Sequence, residues 1–169
     1  MKYLQIIVIF SLMTSFASAQ VALWGKTKEG MSPQQVMKLY PEAEKSTKKS
    51  SFPDYNNSWE LVFIKKKLLA IDMYSHYKVT FYFNDDGLQK VSLLSLNANT
   101  TQKDELIRLL SKKYGAPTRE EEFDDLIRKE WYKGGTDVRF EYTNRNGDNP
   151  DIGVYYFADR TGQTLQNSL

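Results

Sequence analysis

The chain has 169 residues, with 23 Lys and Arg against 21 Asp and Glu, a formal net charge of +2, one His and no Cys. A charge so near zero excludes the strongly basic surface that binding to nucleic acid or an anionic membrane draws on. The lack of Cys and the lone His exclude disulfides, thiol nucleophiles and zinc sites built from several His or Cys ligands.

The N-terminus has the three parts of a secretory signal. Lys2 supplies a positive charge, Tyr3 to Met13 is apolar except at Gln5 and Ser11, and the small residues Ala17 and Ala19 precede Gln20. The apolar run is shorter than the roughly 20 residues a membrane-spanning helix needs. Cleavage after Ala19 is therefore expected, giving a periplasmic or secreted protein. Gln20 stands where a lipoprotein carries Cys, so no membrane anchor is expected after cleavage. The cut removes Lys2 and no acid, changing the net charge from +2 to +1. What remains is about 150 residues, enough for one core that buries roughly two thirds of the unfolded surface. A single domain is expected over residues 20–158, with a flexible tail at 159–169.

The first element opens at Gly30-Met31-Ser32-Pro33-Gln34-Gln35-Val36. Ser32 predicts an N-cap, Pro33 a first-turn residue, Gln35 the return arm of a capping box and Met31 a staple on Val36. The helix is expected to stop before Pro41, whose ring disfavours helical geometry in the residue ahead of it. Lys45 to Asn57 reads as a loop. Strands are expected at Trp59–Ile64, Leu68–Tyr74, Lys78–Phe83 and Leu88–Leu96, with Lys65-Lys66-Lys67 as a solvated turn and Asp86-Gly87 in a hairpin.

A second helix is expected at about Gln102–Tyr114, capped by Thr100 or Thr101 and ended by Gly115. Its apolar face is Leu106, Ile107, Leu109 and Leu110. Glu120 to Asp125 reads as an acidic connector. Strands follow at Ile127–Tyr132, Asp137–Thr143 and Ile152–Phe157. The two halves, about 24–96 and 97–158, match in order: Tyr40-Pro41 with Tyr114-Gly115, Trp59 with Trp131, and Val79–Asn84 with Val138–Thr143. The expected fold is α+β: an antiparallel sheet with helices packed on one face, from a degenerate tandem repeat of one helix and three strands. An extra strand at Leu68–Tyr74 explains the unequal spacing of the matches.

The helix ending in Tyr-Pro, the run Val79-Thr80-Phe81-Tyr82-Phe83-Asn84-Asp85-Asp86-Gly87 and the opening Gly30-Met31-Ser32 resemble a group of exported bacterial domains. The group holds the small lipoproteins of the SmpA/OmlA type and the tandem-repeat β-lactamase inhibitor proteins. The resemblance implies helix-on-sheet repeats, protein partners held on the sheet face and no enzymatic activity. The chain lacks the lipid-bearing Cys of the first kind and the disulfides of the second.

Little catalytic chemistry is available. His76 sits alone between Ser75 and Tyr77, without the flanking motif of a hydrolase. The carboxylates Asp54, Glu60, Asp72, Asp85 and Asp86, with those of the 120–125 run, are sufficient in type for an acid and base pair, which depends on spacing in three dimensions. The loop Asn144–Asp151 is rich in oxygen ligands but lacks the order of a calcium loop. No catalytic residue, metal or cofactor is expected. The chain holds 11 Tyr, 9 Phe and 3 Trp, which suits strands and an aromatic binding face. The expected function is a non-enzymatic module for another envelope or secreted protein, not nucleic acid, with Trp59, Tyr74, Tyr82, Trp131, Tyr142 and Tyr155 as anchors. Tyr77, Tyr132 and Tyr156 are further candidates. The alternative is a small-ligand carrier or a carboxylate-based hydrolase.

Overall fold

A computed structural model describes residues 20–46, 50–51, 58–67, 76–96, 98–144 and 150–158, with the backbone alone for 50–51, 58–61, 64–67 and 76. Helix α1 (Pro33–Leu39) precedes strands β1 (Glu44–Lys45), β2 (Ser50–Ser51), β3 (Ser58–Lys67), β4 (His76–Asn84) and β5 (Gly87–Ser95). Helix α2 (Thr100–Tyr114) precedes β6 (Arg119–Phe123), β7 (Leu126–Lys133), β8 (Thr136–Thr143) and β9 (Asp151–Ala158). The sheet is antiparallel in the order β1-β3-β4-β5-β9-β8-β7-β6, and β2 pairs with β3 off that path. The fold is α+β with both helices against one face, as the sequence predicts.

Taken from each edge inward, the sheet runs β1, β3, β4, β5 on one side and β6, β7, β8, β9 on the other. Each half is a helix and then a meander, and their last strands, β5 and β9, pair antiparallel at the centre. Two of the matched motifs take equivalent places: Tyr40 and Tyr114 lie at the helix ends, and the two Val-x-Phe segments on β4 and β8. The tryptophans do not, because Trp131 pairs with Val138 whereas Ile64, not Trp59, pairs with Val79.

Both helices start with a reciprocal cap. In α1 the Gln35 amide donates to Ser32 Oγ (3.2 Å) while the Ser32 amide donates to Gln35 Oε1 (2.7 Å). In α2 the capping residue is Asn99, not Thr100 or Thr101: Gln102 N–H donates to Asn99 Oδ1 (2.9 Å), and Asn99 N–H to Gln102 Oε1 (2.8 Å). The asparagine sits three positions before a glutamine, the spacing a box requires. Gly115 ends α2 at φ +98°, a conformation side chains oppose.

Three loop expectations are corrected. Within the expected loop Lys45 to Asn57, Lys45 and Ser50–Ser51 pair with β3 as parts of β1 and β2. Lys65 to Lys67 continue β3, registered opposite Lys78, Tyr77 and His76, because the ladder is made by backbone groups that β4 offers along that length. Arg119 to Phe123 form β6 rather than a connector, since Glu120 and Glu121 are registered opposite Lys129 and Arg128. Cross-strand cations turn an acidic run into an edge strand. The expected strand at Leu68–Tyr74 and the tail at 159–169 lie outside the described residues, as does the signal segment.

The core lies between the helices and the inner face of the sheet. Tyr77, Val79, Phe81 and Phe83 of β4 alternate inward, as do Val138 and Phe140 of β8 and Ile152, Val154 and Tyr156 of β9. They form one buried cluster with Val36 of α1 and Leu106 and Leu110 of α2. Leu88 and Val91 of β5 are both buried although three residues apart. A β-bulge opposite Tyr82 and Phe83 inserts Gln89 and restores the phase.

Residues 20–31 are tied to both halves. Trp24 stacks on Tyr40 (5.7 Å between centroids) and Tyr40 on Phe81 (5.6 Å). Leu88 N–H donates to Met31 O (2.8 Å), and the Thr136 hydroxyl donates to Ala22 O (2.5 Å).

Candidate functional site

Alternation that fills the core sends a second set of side chains to the outer face of the sheet. The buried residues of both helices, Val36, Leu106 and Leu110, belong to the core on the inner face. The exposed large hydrophobics include Leu94 (37 %), Tyr132 (45 %) and Phe123 (60 %), and the strand registers put all three on this side.

On the β4-β5-β9 half the outer face is aromatic and cationic. Lys90 is registered between Tyr82 and Phe157. Its ammonium lies 5.0 Å from the Tyr82 ring centroid, 4.9 Å from Tyr155 and 5.2 Å from Phe157. Lys78 is placed likewise 5.1 Å over Phe63. Each such contact contributes roughly 0.5–1 kcal/mol at an exposed site, so the cluster matters more for where it holds charge than for stability. Tyr82 Oη and Ser92 Oγ share a hydrogen bond of 3.1 Å. Tyr155 and Phe157 stack at 6.4 Å.

Gly153 makes the position of Tyr155 possible. A Cβ at 153 would lie 2.6 Å from Tyr155 Oη and 2.8 Å from its Cε2 and Cζ, so the ring occupies the space of the missing side chain. Burial there pushes the Tyr155 hydroxyl up to about 12, with Glu141 and Tyr82 adding to the shift.

On the β8-β7-β6 half the outer face is a ladder of alternating charge. Arg139 Nε donates to Glu130 Oε1 (2.9 Å). Arg128 donates to Glu141 Oε1 (2.9 Å) and Glu121 Oε2 (3.0 Å), and Arg119 pairs with Glu121. Burial works to raise the Glu121 carboxyl, but Arg119 and Arg128 outweigh it and hold it below the ordinary carboxylate range. A catalytic acid needs the opposite shift. Glu121, Glu130 and Glu141 each accept from a fixed arginine, an arrangement suited to a stiff charged surface.

The expected anchors separate. Tyr82 and Tyr155 are brought together on the outer face around Lys90. Trp131 is 0 % exposed, and its Nε1–H donates to the Gly115 carbonyl (3.0 Å) that closes α2. It belongs to the core and is not a surface anchor, as do Tyr77 and Tyr156. Tyr142 points inward and packs against the core beneath Lys103, whose ammonium is 5.5 Å from its ring. Trp59 lies on β3, described by its backbone only, and Tyr74 lies outside the described residues. Phe63, Lys78, Lys90 and Phe157 were not among the expected anchors. A signal for Phe157 exists in its two-residue spacing from Tyr155.

His76 begins β4, opposite Lys67. Among the described residues no group of three or more His, Cys, Asp or Glu side chains could hold a metal ion. Residues 145–149 of the oxygen-rich loop lie outside the described residues. Among the described residues no helix is long and apolar enough to cross a membrane. Compared with protein-family models, with curated proteins and with solved structures, the chain matches none of them.

Proposed function

We propose that this protein is an exported, non-enzymatic module that binds another envelope or secreted protein through the outer face of its sheet. The observation that carries the reading is the half-buried aromatic cluster of Tyr82, Tyr155 and Phe157 around Lys90 on the outer face. Both helices cover the opposite face, and a sheet buried on one side alone needs only polar residues on the other. Rings on that free side add little to the core, whereas Tyr and basic side chains in a partly desolvated patch are typical interface anchors. The exposed Leu94 and Tyr132 extend the same surface.

Export follows from the signal-like N-terminus, and a cut after Ala19 leaves every contact of residues 20–31 in the mature chain. The doubled helix-and-meander arrangement supports kinship with the SmpA/OmlA-type and β-lactamase-inhibitor-type domains, as a proposal from fold pattern alone. A photo-crosslinking residue at Tyr82 or Leu94, in the mature protein within its own envelope, is expected to trap a discrete partner. The same residue at Leu39, on the helix side, is expected to trap none. Equal or absent trapping at both places would remove the basis of the reading.

A further inference from the structure

Residues 20–31 fold back on themselves against the turns of two hairpins. Glu29 N–H donates to Val21 O (2.9 Å), Ala22 and Lys28 form an antiparallel bridge, and Gly30 N–H donates to Leu88 O (3.0 Å), just after the turn between β4 and β5. At the turn between β7 and β8, Val21 Cγ2 sits 3.0 Å from the place a Cβ on Gly135 would take, and Ala22 O accepts the Thr136 hydroxyl (2.5 Å). The chain is therefore fixed from Val21 onward.

Gln20 stands outside that fixed stretch. It is exposed, and among the described residues no hydrogen bond holds its side chain. Its Nε2 approaches only Gly30, at 3.9 Å from the place of a Cβ there. An exposed side chain changes rotamer within picoseconds to nanoseconds, so the amide carbon is free to meet the backbone nitrogen of the same residue. A cut after Ala19 turns that nitrogen into a free α-amine. Such an amine titrates at roughly 7.7–8.0, so roughly a tenth to a sixth of it offers a lone pair at pH 7.

We propose, resting on cleavage after Ala19, that Gln20 is a modification site and that the mature chain begins with pyroglutamate. The α-nitrogen attacks the side-chain carbonyl carbon Cδ, the new N–Cδ bond closes a five-membered lactam, and the Cδ–Nε2 bond breaks. The proton given up by the α-nitrogen goes to Nε2, which leaves as ammonia. This is an internal acyl transfer: nothing is oxidised or reduced, and no co-reactant enters. Both reacting groups belong to one residue, which gives the attack a high effective concentration.

The lactam removes the terminal charge and leaves no primary amine for an aminopeptidase to bind. The residues such an enzyme would take next are Val21 and Ala22, whose carbonyls accept from the Glu29 amide and the Thr136 hydroxyl. The closed ring thus guards the link between residues 20–31 and the β7–β8 hairpin.

The test is intact-mass spectrometry of the protein isolated from the envelope of a cell that makes the full-length chain, with fragment sequencing of its first residues. The expected species starts at residue 20 and is lighter than unmodified 20–169 by one ammonia. Gln20→Asn, whose shorter side chain would have to close a strained four-membered ring, is expected to show the full mass and a free amine. Exposed to a broad aminopeptidase, the Gln20 protein is expected to keep its N-terminus, whereas Gln20→Asn loses Val21 and Ala22 and then melts at a lower temperature. A chain that starts at Gln20 and retains its ammonia would overturn the proposal and leave cleavage after Ala19 standing. A chain that starts elsewhere would overturn the cleavage reading and the proposal with it. Equal trimming of the two proteins would overturn the protective role.

Discussion

Gly153 and Tyr155 occupy successive outward positions of β9, and the tyrosine ring fills the space a side chain at 153 would need. Gly153→Ala is expected to lift that ring from the sheet, loosen the Lys90 cluster and cost about 1–3 kcal/mol as an overpacking change. Chemical denaturation measures it; an unchanged midpoint would contradict the packing described. Trp131→Phe keeps most of the buried volume but leaves the Gly115 carbonyl without its indole donor, at a cost of about 1–3 kcal/mol. Retained wild-type stability would show that the bond contributes little. Tyr77 and Tyr155 are both pushed up to about 12, chiefly by burial. A phenol whose folded value is raised stabilises the fold fully below its unfolded value near 10, and that contribution is lost as pH rises through about 12. Ultraviolet titration of tyrosinate is thus expected to show late-ionising tyrosines whose ionisation accompanies unfolding. Ionisation of every tyrosine near 10 with the fold intact would contradict this. At this scale Tyr142, expected as an anchor but packed against the core, was in fact legible as inward-facing, because Val138, Phe140 and Tyr142 alternate with Arg139 and Glu141. Tyr155 was not, because both phases of Ile152–Phe157 are apolar or aromatic and only the sheet's neighbours decide which is buried.

The helices were legible as elements because caps are local chemistry. Ser32 and Gln35 form the predicted box, and Asn99 with Gln102 forms a second that Thr100 and Thr101 obscured, since three capping residue types stand in a row. Asn99→Ala is expected to cost about 1 kcal/mol, read as a lower thermal midpoint, whereas Thr100→Ala is expected to cost much less. A larger loss from Thr100→Ala would place the cap elsewhere. The strands of the second half show the limit of composition. Arg119–Phe123 looks like a solvated run until β7 supplies Arg128 and Lys129 across from it. Because Glu121 is held below its ordinary range, its contribution is present above the unfolded carboxylate value and is lost as pH falls through the lowered one. Arg128→Met is therefore expected to flatten the fall of thermal midpoint with acidification. A fall as steep as the wild type's would show that the ladder does not couple to folding.

The whole molecule closes around the β5–β9 seam, where two similar halves share one core and one sheet. Neither half has a core of its own: Leu88, Val91 and Leu93 of β5 share one buried cluster with Val36 of α1, Leu106 and Leu110 of α2, and Leu23. A fragment spanning 20–96 is expected to be largely unfolded by circular dichroism, and the intact domain to unfold in one transition by fluorescence and circular dichroism alike. A stable, cooperative fragment would show the halves to be independent. The sequence by itself determined the helices, most of the strands, the doubled order of motifs, the expectation of export and the poverty of catalytic side chains. Each of these depends on local pattern, residue type or composition. The tertiary structure decided which aromatics are free: it took Trp131 into the core and gathered Tyr82, Tyr155 and Phe157 around Lys90 from three strands. That choice depends on strand order, a single bulge at Gln89 and the missing side chain of Gly153. Such long-range register is carried by pairing between segments far apart in the chain, which no local pattern encodes.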